Sequence, residues 1–244
     1  MPEIYLIRNN IMYPCHNIKK NMGLKDGLET TFKTLYDNFG PQDWWPAESK
    51  LEIIIGAILT QAVSWSNVEI ALNNLKNENV LNIDSLNNID QDDLAELIKA
   101  SGYYNMKAKK IKAFIHFIIK EYNGDLNILV NCNNQKIKNE LLEVYGIGPE
   151  TADSILLYAY QKPFFVIDRY TRRILTRIGY IKEGITYDRL QYLFIDNLSK
   201  DFQLYNEFHA LLVNLGKNYC LKNSPICKEC PLQKFKKEER DVSC

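Results

Sequence analysis

Apolar residues recur at helical spacing along most of this 244-residue chain. Between residues 27 and 39 they fall three or four positions apart, which marks one face of an amphipathic helix, whereas residues 51–63 are apolar nearly all round, as in a helix buried on most faces. The same spacing predicts helices over residues 67–75, 92–100, 107–122, 135–145, 150–160, 168–178, 187–198 and 202–216. The short apolar runs 4–7 and 164–167 have no partner hairpin, so the pattern predicts an all-α protein of about ten helices.

A glycine-rich turn joins two of these predicted helices. Gly146 and Gly148 are separated by one apolar residue, and glycine tolerates positive φ and has no Cβ to block a close approach. The backbone N–H groups that open the following helix are unpaired and favour an anion such as a phosphate. The turn therefore predicts a site that grips a nucleic-acid backbone, although an ordinary helix–helix connection can have the same pattern.

Charge is balanced over the whole chain. Lys and Arg together number 30, as do Asp and Glu, so the formal net charge is zero and the chain does not coat nucleic acid by bulk charge. Basic residues still cluster at Lys107, Lys109, Lys110 and Lys112, at Arg169, Arg172, Arg173 and Arg177, and at Lys234, Lys236 and Lys237. Each cluster is open to two interpretations, a phosphate-binding patch or a solvated helix face.

The composition is typical of a globular protein, with 46% hydrophobic and 25% charged residues. No apolar run approaches the ~20 residues needed to cross a bilayer. Residues 1–20 lack the apolar core and the small-residue cleavage site of a secretory signal. The sequence thus predicts a cytoplasmic protein that has no membrane partner.

Cysteines are concentrated at the C-terminal end of the chain. Four of the six fall in the last 25 residues: Cys220, Cys227, Cys230 and Cys244. In an intracellular protein such clustering indicates a metal or cluster site rather than disulfides. Cys15 and Cys132 stand apart and are predicted to be ordinary thiols.

Five motifs are spread over residues 28–232, which is most of the chain. They are Leu59-Thr60-Gln61, Gly102-Tyr103-Tyr104-Asn105, Gly146-Ile147-Gly148, Val166-Ile167-Asp168 and Cys220-x6-Cys227-x2-Cys230-Pro231-Leu232. Together they resemble the helix-hairpin-helix DNA glycosylases of the endonuclease III branch. The resemblance implies an all-α, two-lobed fold with a cysteine-rich C-terminal loop. It also implies a monomer that binds damaged double-stranded DNA in a cleft between the lobes.

The resemblance also implies a division of the chain into domains. An N-terminal extension of residues 1–25 precedes a discontinuous helical domain, which comprises residues 26–47 and 162–244 and ends in the cysteine-rich loop. Residues 48–161 form a six-helix domain that carries the hairpin.

Asp168, twenty residues after Gly148, is the catalytic residue that the resemblance implies. Cleavage of the bond between base and sugar builds positive charge on the sugar. A fixed carboxylate stabilises that charge and can orient or deprotonate an attacking water. Asp168 also opens a predicted helix, so a helix N-cap is the alternative.

Four residues complete the predicted DNA contacts. By the same resemblance, Gln61 fills the gap that the flipped base leaves in the duplex; a cap at the end of a buried helix is the alternative. Gly146 and Gly148 contact the backbone through the hairpin, and Arg169 belongs to the basic cluster beside the predicted catalytic residue.

Position 150 separates two classes of these enzymes. Bifunctional members carry a lysine two residues after the second hairpin glycine, and its amine forms a Schiff base with the sugar that leads to strand cleavage. Here the position holds Glu150, which cannot form that intermediate. The sequence therefore predicts a monofunctional glycosylase that uses water and has no lyase activity.

The chain has three tryptophans, Trp44, Trp45 and Trp65, on either side of the most apolar predicted helix. Their pattern is similar to the 3-methyladenine DNA glycosylases of the branch, in which aromatic side chains sandwich the flipped base; packing in the core is the alternative. A purine methylated at N3 is cationic. Stacking is worth roughly 1–3 kcal/mol per base, and a desolvated cation over an indole adds up to about 2 kcal/mol.

The predicted function is therefore hydrolytic removal of damaged bases, N3-alkylated purines above all, in base-excision repair. Two alternatives stay open. One is an endonuclease III-like glycosylase for oxidised pyrimidines, and the other is a non-catalytic helix-hairpin-helix DNA-binding protein.

The cysteine spacing matches that of the family's 4Fe-4S cluster at Cys220, Cys227 and Cys230. The family's fourth cysteine position holds Lys236, so the resemblance is incomplete there. Cys244 is the remaining candidate, because the 13 residues that separate it from Cys230 can close back on the site at modest entropic cost. A zinc site and a metal-free loop are the alternatives, and in each case the predicted role is structural.

Overall fold

Eleven α-helices make up most of residues 23–235, the part of the chain that the computed structural model describes. In chain order they are α1 (Leu24–Phe39), α2 (Lys50–Leu59), α3 (Trp65–Asn77), α4 (Ile83–Asn88), α5 (Gln91–Leu97), α6 (Tyr104–Tyr122), α7 (Asn134–Glu143), α8 (Pro149–Ser154), α9 (Arg169–Arg177), α10 (Tyr187–Ile195) and α11 (Phe202–Asn218). Short 3-10 turns occupy Lys99–Ser101, Ile128–Val130 and Gln233–Phe235, and a π-helical turn, Ile155–Ala159, continues α8. Residues 23–235 contain no strand, which confirms the all-α prediction. None of these helices has the length and apolar character of a membrane span.

The apolar helix α2 ends at Leu59, four residues before the predicted end at residue 63. The Thr60 hydroxyl bonds back to two carbonyls of the last turn, at 3.0 Å each. Ala62 adopts a φ of 57°, which lies outside the helical region. The predicted helical residues 60–63 therefore form a turn that carries Gln61 beside the end of α2.

The described residues divide into two compact units. The central unit comprises residues 41–168 with 199–210, and the second unit comprises residues 23–40, 169–198 and 211–235. Residues 41–47, 162–168 and 199–210 thus group with the central unit, whereas the predicted discontinuous domain of residues 26–47 and 162–244 includes them. Of the predicted extension 1–25, only the last three residues are described, and α1 already begins there. The predicted domain limits themselves stay a prediction.

The helix α2 lies in the core of the central unit. Ile54, Ile55, Ile58 and Leu59 are fully buried, as expected for a helix that is apolar nearly all round. They pack in one cluster with buried side chains of α3, α6, α8 and its π-helical continuation. Burying an apolar side chain of this size contributes about 1.5–3 kcal/mol. This core fixes the end of α2 and the turn that follows it.

A buried ion pair joins α7 to α8, the helices on either side of the glycine turn. The Lys138 ammonium lies 2.8 Å from the fully buried Asp153 carboxylate and 4.8 Å from the centre of the Phe164 ring. Lys138→Met removes the cation from a buried carboxylate, a change that typically costs about 3–5 kcal/mol. We expect the free energy of unfolding, measured in urea, to fall by that amount.

The matched control is Lys136→Met on the same helix. The Lys136 side chain is 69% exposed, and its ion pair with Glu140 is worth at most about 1 kcal/mol. Equal losses of stability in the two lysine variants would contradict the structural role of the buried pair.

Candidate active site, hairpin and cysteine loop

Asp168 ends a segment of buried residues. Phe165, Val166 and Ile167 are at most 2% exposed, and Asp168 follows them immediately before α9 with a side chain that is 11% exposed. Because the preceding residues are buried, the backbone holds the carboxylate in a defined position with narrow access to solvent. Charge interactions are stronger in such a place than in water, since solvent screens them less.

Two buried side chains, His209 and Tyr158, lie near Asp168, and neither was predicted from the sequence to belong to the site. The imidazole Nε2 of His209, on α11, lies 3.8 Å from Asp168 Oδ2, and its Nδ1 shares a hydrogen bond of 2.5 Å with the Tyr158 hydroxyl. Tyr158 belongs to the π-helical turn after α8. The sequence offered only a histidine among apolar residues and a tyrosine in a buried helix, and neither feature is distinctive in a single chain.

Burial sets the charge of His209 and Tyr158. Desolvation lowers the pKa of His209, and the attraction of Asp168 opposes this as the smaller effect. Burial, reinforced by the Asp168 carboxylate, raises the pKa of Tyr158 well above its usual value. Both groups are therefore uncharged at neutral pH, and Asp168 faces a neutral imidazole rather than a cation.

The three tryptophans lie together in the central unit, and all three are half-buried. Their ring centres are 5.2 Å apart for Trp44 and Trp45, 5.3 Å for Trp44 and Trp65, and 4.8 Å for Trp45 and Trp65. The ring centres of Trp45 and Tyr158 are 5.1 Å apart, so the tryptophan cluster contacts the tyrosine whose hydroxyl binds His209.

The spacing of the tryptophan rings bears on the predicted base pocket. A base held between two parallel rings needs them about 7 Å apart, which is twice the ~3.4 Å stacking distance of bases. At the observed spacing the rings contact one another. A base bound by these tryptophans would have to stack on an outer face of the cluster or move two of the rings apart.

Two helices hold the tryptophan cluster in place. A Cβ at Gly56 of α2 would lie 3.1 Å from Trp45 Cζ2, so the absence of a side chain there lets the ring pack on the helix backbone. Trp65 begins α3, and its indole N–H donates to Glu69 one turn later at 2.8 Å. Trp45 is thus held against α2, and Trp65 is held by its own helix.

Gln61 is held against the glycine turn by its side-chain amide. Its Nε2 donates to the Gly146 carbonyl at 3.1 Å and to the Thr151 hydroxyl at 2.9 Å, and its Oε1 accepts from the Lys110 ammonium. The structure therefore brings together Gln61 and the hairpin, both of which the sequence predicts to contact DNA. Insertion of Gln61 into a duplex requires its side chain to leave all three partners.

The two hairpin glycines have different structural roles. Gly146 has a φ of 81°, and a Cβ there would overlap the side chain of Lys110, so the fold itself requires glycine at this position. Gly148 precedes α8 with a φ of −92°, and no atom lies within 4 Å of where its Cβ would be. Among residues 23–235, no close contact requires glycine at position 148. The absence of a side chain there leaves the start of α8 accessible.

Alanine substitutions at these glycines should have different consequences. Gly146→Ala is expected to lower the free energy of unfolding by about 1–2 kcal/mol, because alanine is strained at positive φ. Gly148→Ala should leave stability within about 0.5 kcal/mol of wild type but weaken binding to duplex DNA, because its Cβ intrudes on the predicted phosphate approach. Urea unfolding and fluorescence anisotropy with a labelled duplex measure the two effects. A destabilised Gly148→Ala protein with normal DNA binding would contradict this division of roles.

Most arginines of the α9 cluster donate hydrogen bonds to backbone carbonyls of the second unit. Arg173 and Arg177 donate to backbone carbonyls of residues 216 and 220–222, and Arg172 donates to a carbonyl of the loop before α10. Arg169 is exposed at the start of the helix. Three of the four arginines therefore hold the cysteine loop and a neighbouring loop, whereas the guanidinium of Arg169 lies 5.1 Å from the centre of the Tyr170 ring and the residue is exposed.

Most lysines of the α6 cluster likewise donate hydrogen bonds to other groups of the protein. Lys107 is 2% exposed and donates to the carbonyls of Leu59 and Ser101, at 2.8 and 2.5 Å. Burial lowers the pKa of Lys107 to about 8. Lys110 binds Gln61 and Lys112 binds carbonyls at the end of α4, while the fourth lysine, at position 109, is exposed. Neither basic cluster is thus an open cationic patch.

Three of the predicted cysteine ligands line one cavity of the second unit. Cys220, Cys227 and Cys230 border a space of about 430 Å³ that is also lined by three residues of α9, by Leu215 of α11 and by residues of the segments that follow these helices. Burial, with a smaller effect of the neighbouring thiols, raises the pKa of Cys230. Cys244 and Lys236 lie outside the described residues.

The arrangement of these thiols bears on the kind of metal group that they fit. Within residues 23–235, no group of three or more Cys, His, Asp and Glu side chains is arranged to hold a single metal ion. The three thiols border a common cavity, and thiolates are ligands of iron–sulfur clusters and of structural zinc alike. Arg177 donates to Cys220 Sγ at 3.3 Å, which is the kind of hydrogen bond that stabilises an anionic sulfur ligand.

Comparison with known sequences gives a consistent assignment. A family model described as HhH-GPD superfamily base excision DNA repair protein matches residues 55–200. A protein of Methanocaldococcus jannaschii that bears the provisional name of a DNA repair glycosylase is 45% identical, over 84% of this chain and 93% of the relative. Endonuclease III of Sulfolobus acidocaldarius is 31% identical, over 75% of this chain and 79% of the relative.

Solved structures agree with these matches. The H. pylori 3-methyladenine DNA glycosylase bound to 1,N6-ethenoadenine has a TM-score of 0.67 and 31% identity, covering 80% of this chain and 98% of the other. An endonuclease III–DNA complex has a TM-score of 0.77, covering 89% and 97%. At 20% identity, the second comparison shows a common fold alone.

Proposed function

Because the chain belongs to the HhH-GPD superfamily of base excision DNA repair proteins, we propose that it is a monofunctional DNA glycosylase for N3-alkylated purines. Glycosylase activity is common to the family, whereas the choice of lesion and the absence of strand cleavage are specific to the proposal. The observation that carries it is the position of Asp168. This shielded carboxylate lies in the same unit as the tryptophan cluster and is linked to it through His209 and Tyr158.

In the proposed reaction, Asp168 supplies the negative charge that base release requires. As the N-glycosidic bond breaks, its electron pair leaves with the base and positive charge develops on the deoxyribose. The carboxylate stabilises that charge and orients a water, whose oxygen bonds to the anomeric carbon while its proton passes to the carboxylate or to solvent. Since the Asp168 side chain is only 11% exposed, little water screens this interaction.

The tryptophan cluster supports a cationic substrate. A purine alkylated at N3 carries positive charge, and an indole face attracts a cation more strongly when both are shielded from water. Such a base is already an activated leaving group, so no general acid is needed in the pocket. The similar H. pylori protein, a 3-methyladenine DNA glycosylase, also supports this choice of lesion.

Glu150 supports hydrolysis rather than lyase chemistry. It is exposed in the first turn of α8, two residues after Gly148, at the position where bifunctional relatives carry a lysine. A carboxylate cannot form a Schiff base with the sugar. In the proposed reaction, water is therefore the nucleophile, and the product is an abasic site in an intact strand.

Damaged double-stranded DNA is the proposed partner, bound by a single copy of the chain. Gly148 and Arg169 are proposed to meet the phosphate backbone, and Gln61 to leave Gly146 and Thr151 and fill the gap in the base stack. Flipping a base costs a few kcal/mol and is easiest at a damaged or mispaired site. The release of Gln61 adds to that cost, which favours action at bases that are already weakly stacked.

The cysteine loop fits an iron–sulfur cluster at three positions. Cys220, Cys227 and Cys230 would hold the cluster around the cavity that they border, with Cys244 as the proposed fourth ligand. When bound, the cluster supplies a structural cross-link for the loop after α11. Arg173 and Arg177 already anchor this loop to α9 through its carbonyls.

Cys227→Ser should remove the cluster while leaving Asp168 and the tryptophan cluster unchanged. We expect the wild-type protein to purify brown with bound iron and sulfide, and Cys227→Ser to lose most of both and to melt at a lower temperature. Cys132→Ser is the matched control, because Cys132 lies in the central unit. Iron content that is equal in the Cys227→Ser and wild-type proteins, or absent from both, would contradict the proposal of a cluster.

A panel of lesions tests the proposed substrate. Duplexes that carry 3-methyladenine, 1,N6-ethenoadenine or thymine glycol are incubated with the wild-type protein, and free base is measured by chromatography. We expect the alkylated purines to be released and thymine glycol to persist. Preferential release of thymine glycol would favour the endonuclease III-like alternative, and tight binding without release of any base would favour a non-catalytic DNA-binding protein.

A further inference from the structure

The imidazole of His209 is held in an energetically costly state. The residue is 6% exposed, and its Nε2 has no hydrogen-bond partner within residues 23–235. Leaving a buried polar atom in this condition costs about 1–3 kcal/mol, and an apolar side chain would avoid that cost. The nearest anionic group is the Asp168 carboxylate, with Oδ2 3.8 Å from Nε2. A role of Nε2 in holding the Asp168 carboxylate during the reaction would account for this cost.

The Tyr158 hydroxyl determines which nitrogen of His209 carries the proton. Tyr158 stays protonated because burial raises its pKa, so its O–H can donate to His209 Nδ1. The proton of the neutral imidazole then lies on Nε2, the atom that is nearer to Asp168. The opposite tautomer would point the lone pair of Nε2 at an anionic carboxylate, which is electrostatically unfavourable.

We propose that His209 is a positioning residue for base release: its neutral Nε2–H orients the Asp168 carboxylate, while Tyr158 fixes the imidazole. This inference rests on the proposed function, in which Asp168 is the catalytic group. The Nε2–Oδ2 separation of 3.8 Å is longer than a hydrogen bond. Hydrogen bonds between catalytic groups are often long in a free enzyme and shorten when substrate is bound.

A neutral donor suits this reaction better than a cation. An imidazolium beside Asp168 would neutralise the negative charge that the developing sugar cation needs, and it would also repel that cation directly. Burial keeps His209 uncharged by lowering its pKa. The carboxylate thus gains a hydrogen-bond donor without losing its net charge.

Few other groups can affect the titration of the imidazole. Among the described residues, the titratable groups that face it are Asp168, from the segment before α9, and Tyr158, from the π-helical turn. Glu207, on the same helix, instead accepts a hydrogen bond of 2.9 Å from the backbone N–H of Gln42. The charge state of His209 therefore depends on its burial and on its contact with Asp168.

The test is single-turnover release of 3-methyladenine from a duplex at neutral pH, measured for wild type, His209→Phe, His209→Gln and Tyr158→Phe. His209→Phe should slow release about 10- to 100-fold, as is typical when a partner that orients a functional group is lost, with unchanged duplex binding. His209→Gln, which keeps an N–H donor, should recover most of the rate.

Tyr158→Phe should slow release as His209→Phe does but by less, because the imidazole remains and loses only its fixed tautomer. If His209→Phe does not fold, Tyr158→Phe and His209→Gln provide the test. Equal slowing of His209→Phe and His209→Gln, or wild-type kinetics in both, overturns the inference.

These outcomes are distinct from failure of the proposed function. If wild type releases no base at any pH, the proposed function fails and the inference fails with it. If wild type is active and Asp168→Asn is inactive, while His209→Phe matches wild type in rate, only the positioning role is wrong.

Discussion

Asp168→Asn is expected to slow base release at least about 10³-fold while leaving duplex binding nearly unchanged. Asparagine has almost the shape of aspartate and is an equally good helix N-cap, so any capping of α9 by this residue is preserved. The substitution removes the negative charge next to the developing sugar cation, at a side chain that is 11% exposed. It therefore separates the two interpretations of Asp168, because a residue that only caps α9 would tolerate the change.

Single-turnover release of free base and fluorescence anisotropy with the same duplex measure the two quantities. Asp188→Asn is the matched control, because Asp188 is exposed in the first turn of α10 and should not affect the rate. If Asp168→Asn keeps more than about a tenth of the wild-type rate, a catalytic role for the carboxylate is wrong.

Wild-type protein is expected to give no covalent adduct with abasic or damaged DNA in the presence of borohydride. Borohydride reduces a Schiff base to a stable amine, so trapping requires an amine nucleophile at the sugar. Position 150 instead holds a glutamate, exposed in the first turn of α8. Glu150→Lys places an amine there and should produce an adduct that a denaturing gel separates from free DNA.

Glu150→Gln is the control for this experiment, because it removes the charge of Glu150 without adding an amine and should stay untrapped. An adduct formed by the wild-type protein would contradict the monofunctional assignment. It would then become necessary to find which lysine reaches the sugar.

Spacing and backbone conformation were enough to predict much of the fold. The apolar character of α2 predicted a helix buried on most faces, and Ile54, Ile55 and Ile58 are fully buried. The two glycines predicted the hairpin, and Gly146 does adopt positive φ. The end of α2 was misplaced because Ala62 and Val63 continue the apolar pattern beyond Leu59, and the hydrogen bonds of the Thr60 hydroxyl to the last turn do not alter that pattern.

Contacts between residues far apart in the chain could not be predicted in this way. Tyr158 and His209 are 51 positions apart, and neither lies in a motif, so their contact is visible only in the folded chain. Lys110 and Gln61 are 49 positions apart, and the lysine looked like part of a basic patch until its partner was known. Arg173 and Arg177 were open to the same interpretation, yet they bind carbonyls of the cysteine loop.

For the three tryptophans, the sequence predicted that the side chains lie together but not how their rings are arranged. The sequence placed Trp44, Trp45 and Trp65 in one pocket, and the structure brings the three rings into contact with one another. Their role in stacking a base stays a prediction. Ring orientation depends on packing around Gly56 and Tyr158, which no spacing rule describes.

The most direct measurement is release of free 3-methyladenine from a duplex by the wild-type protein, with the damaged strand analysed before and after alkali. The proposed function predicts free base in solution and a strand that stays intact until alkali breaks it at the abasic site. Cleavage without alkali, or a duplex that keeps all of its 3-methyladenine, would contradict hydrolysis by water at Asp168.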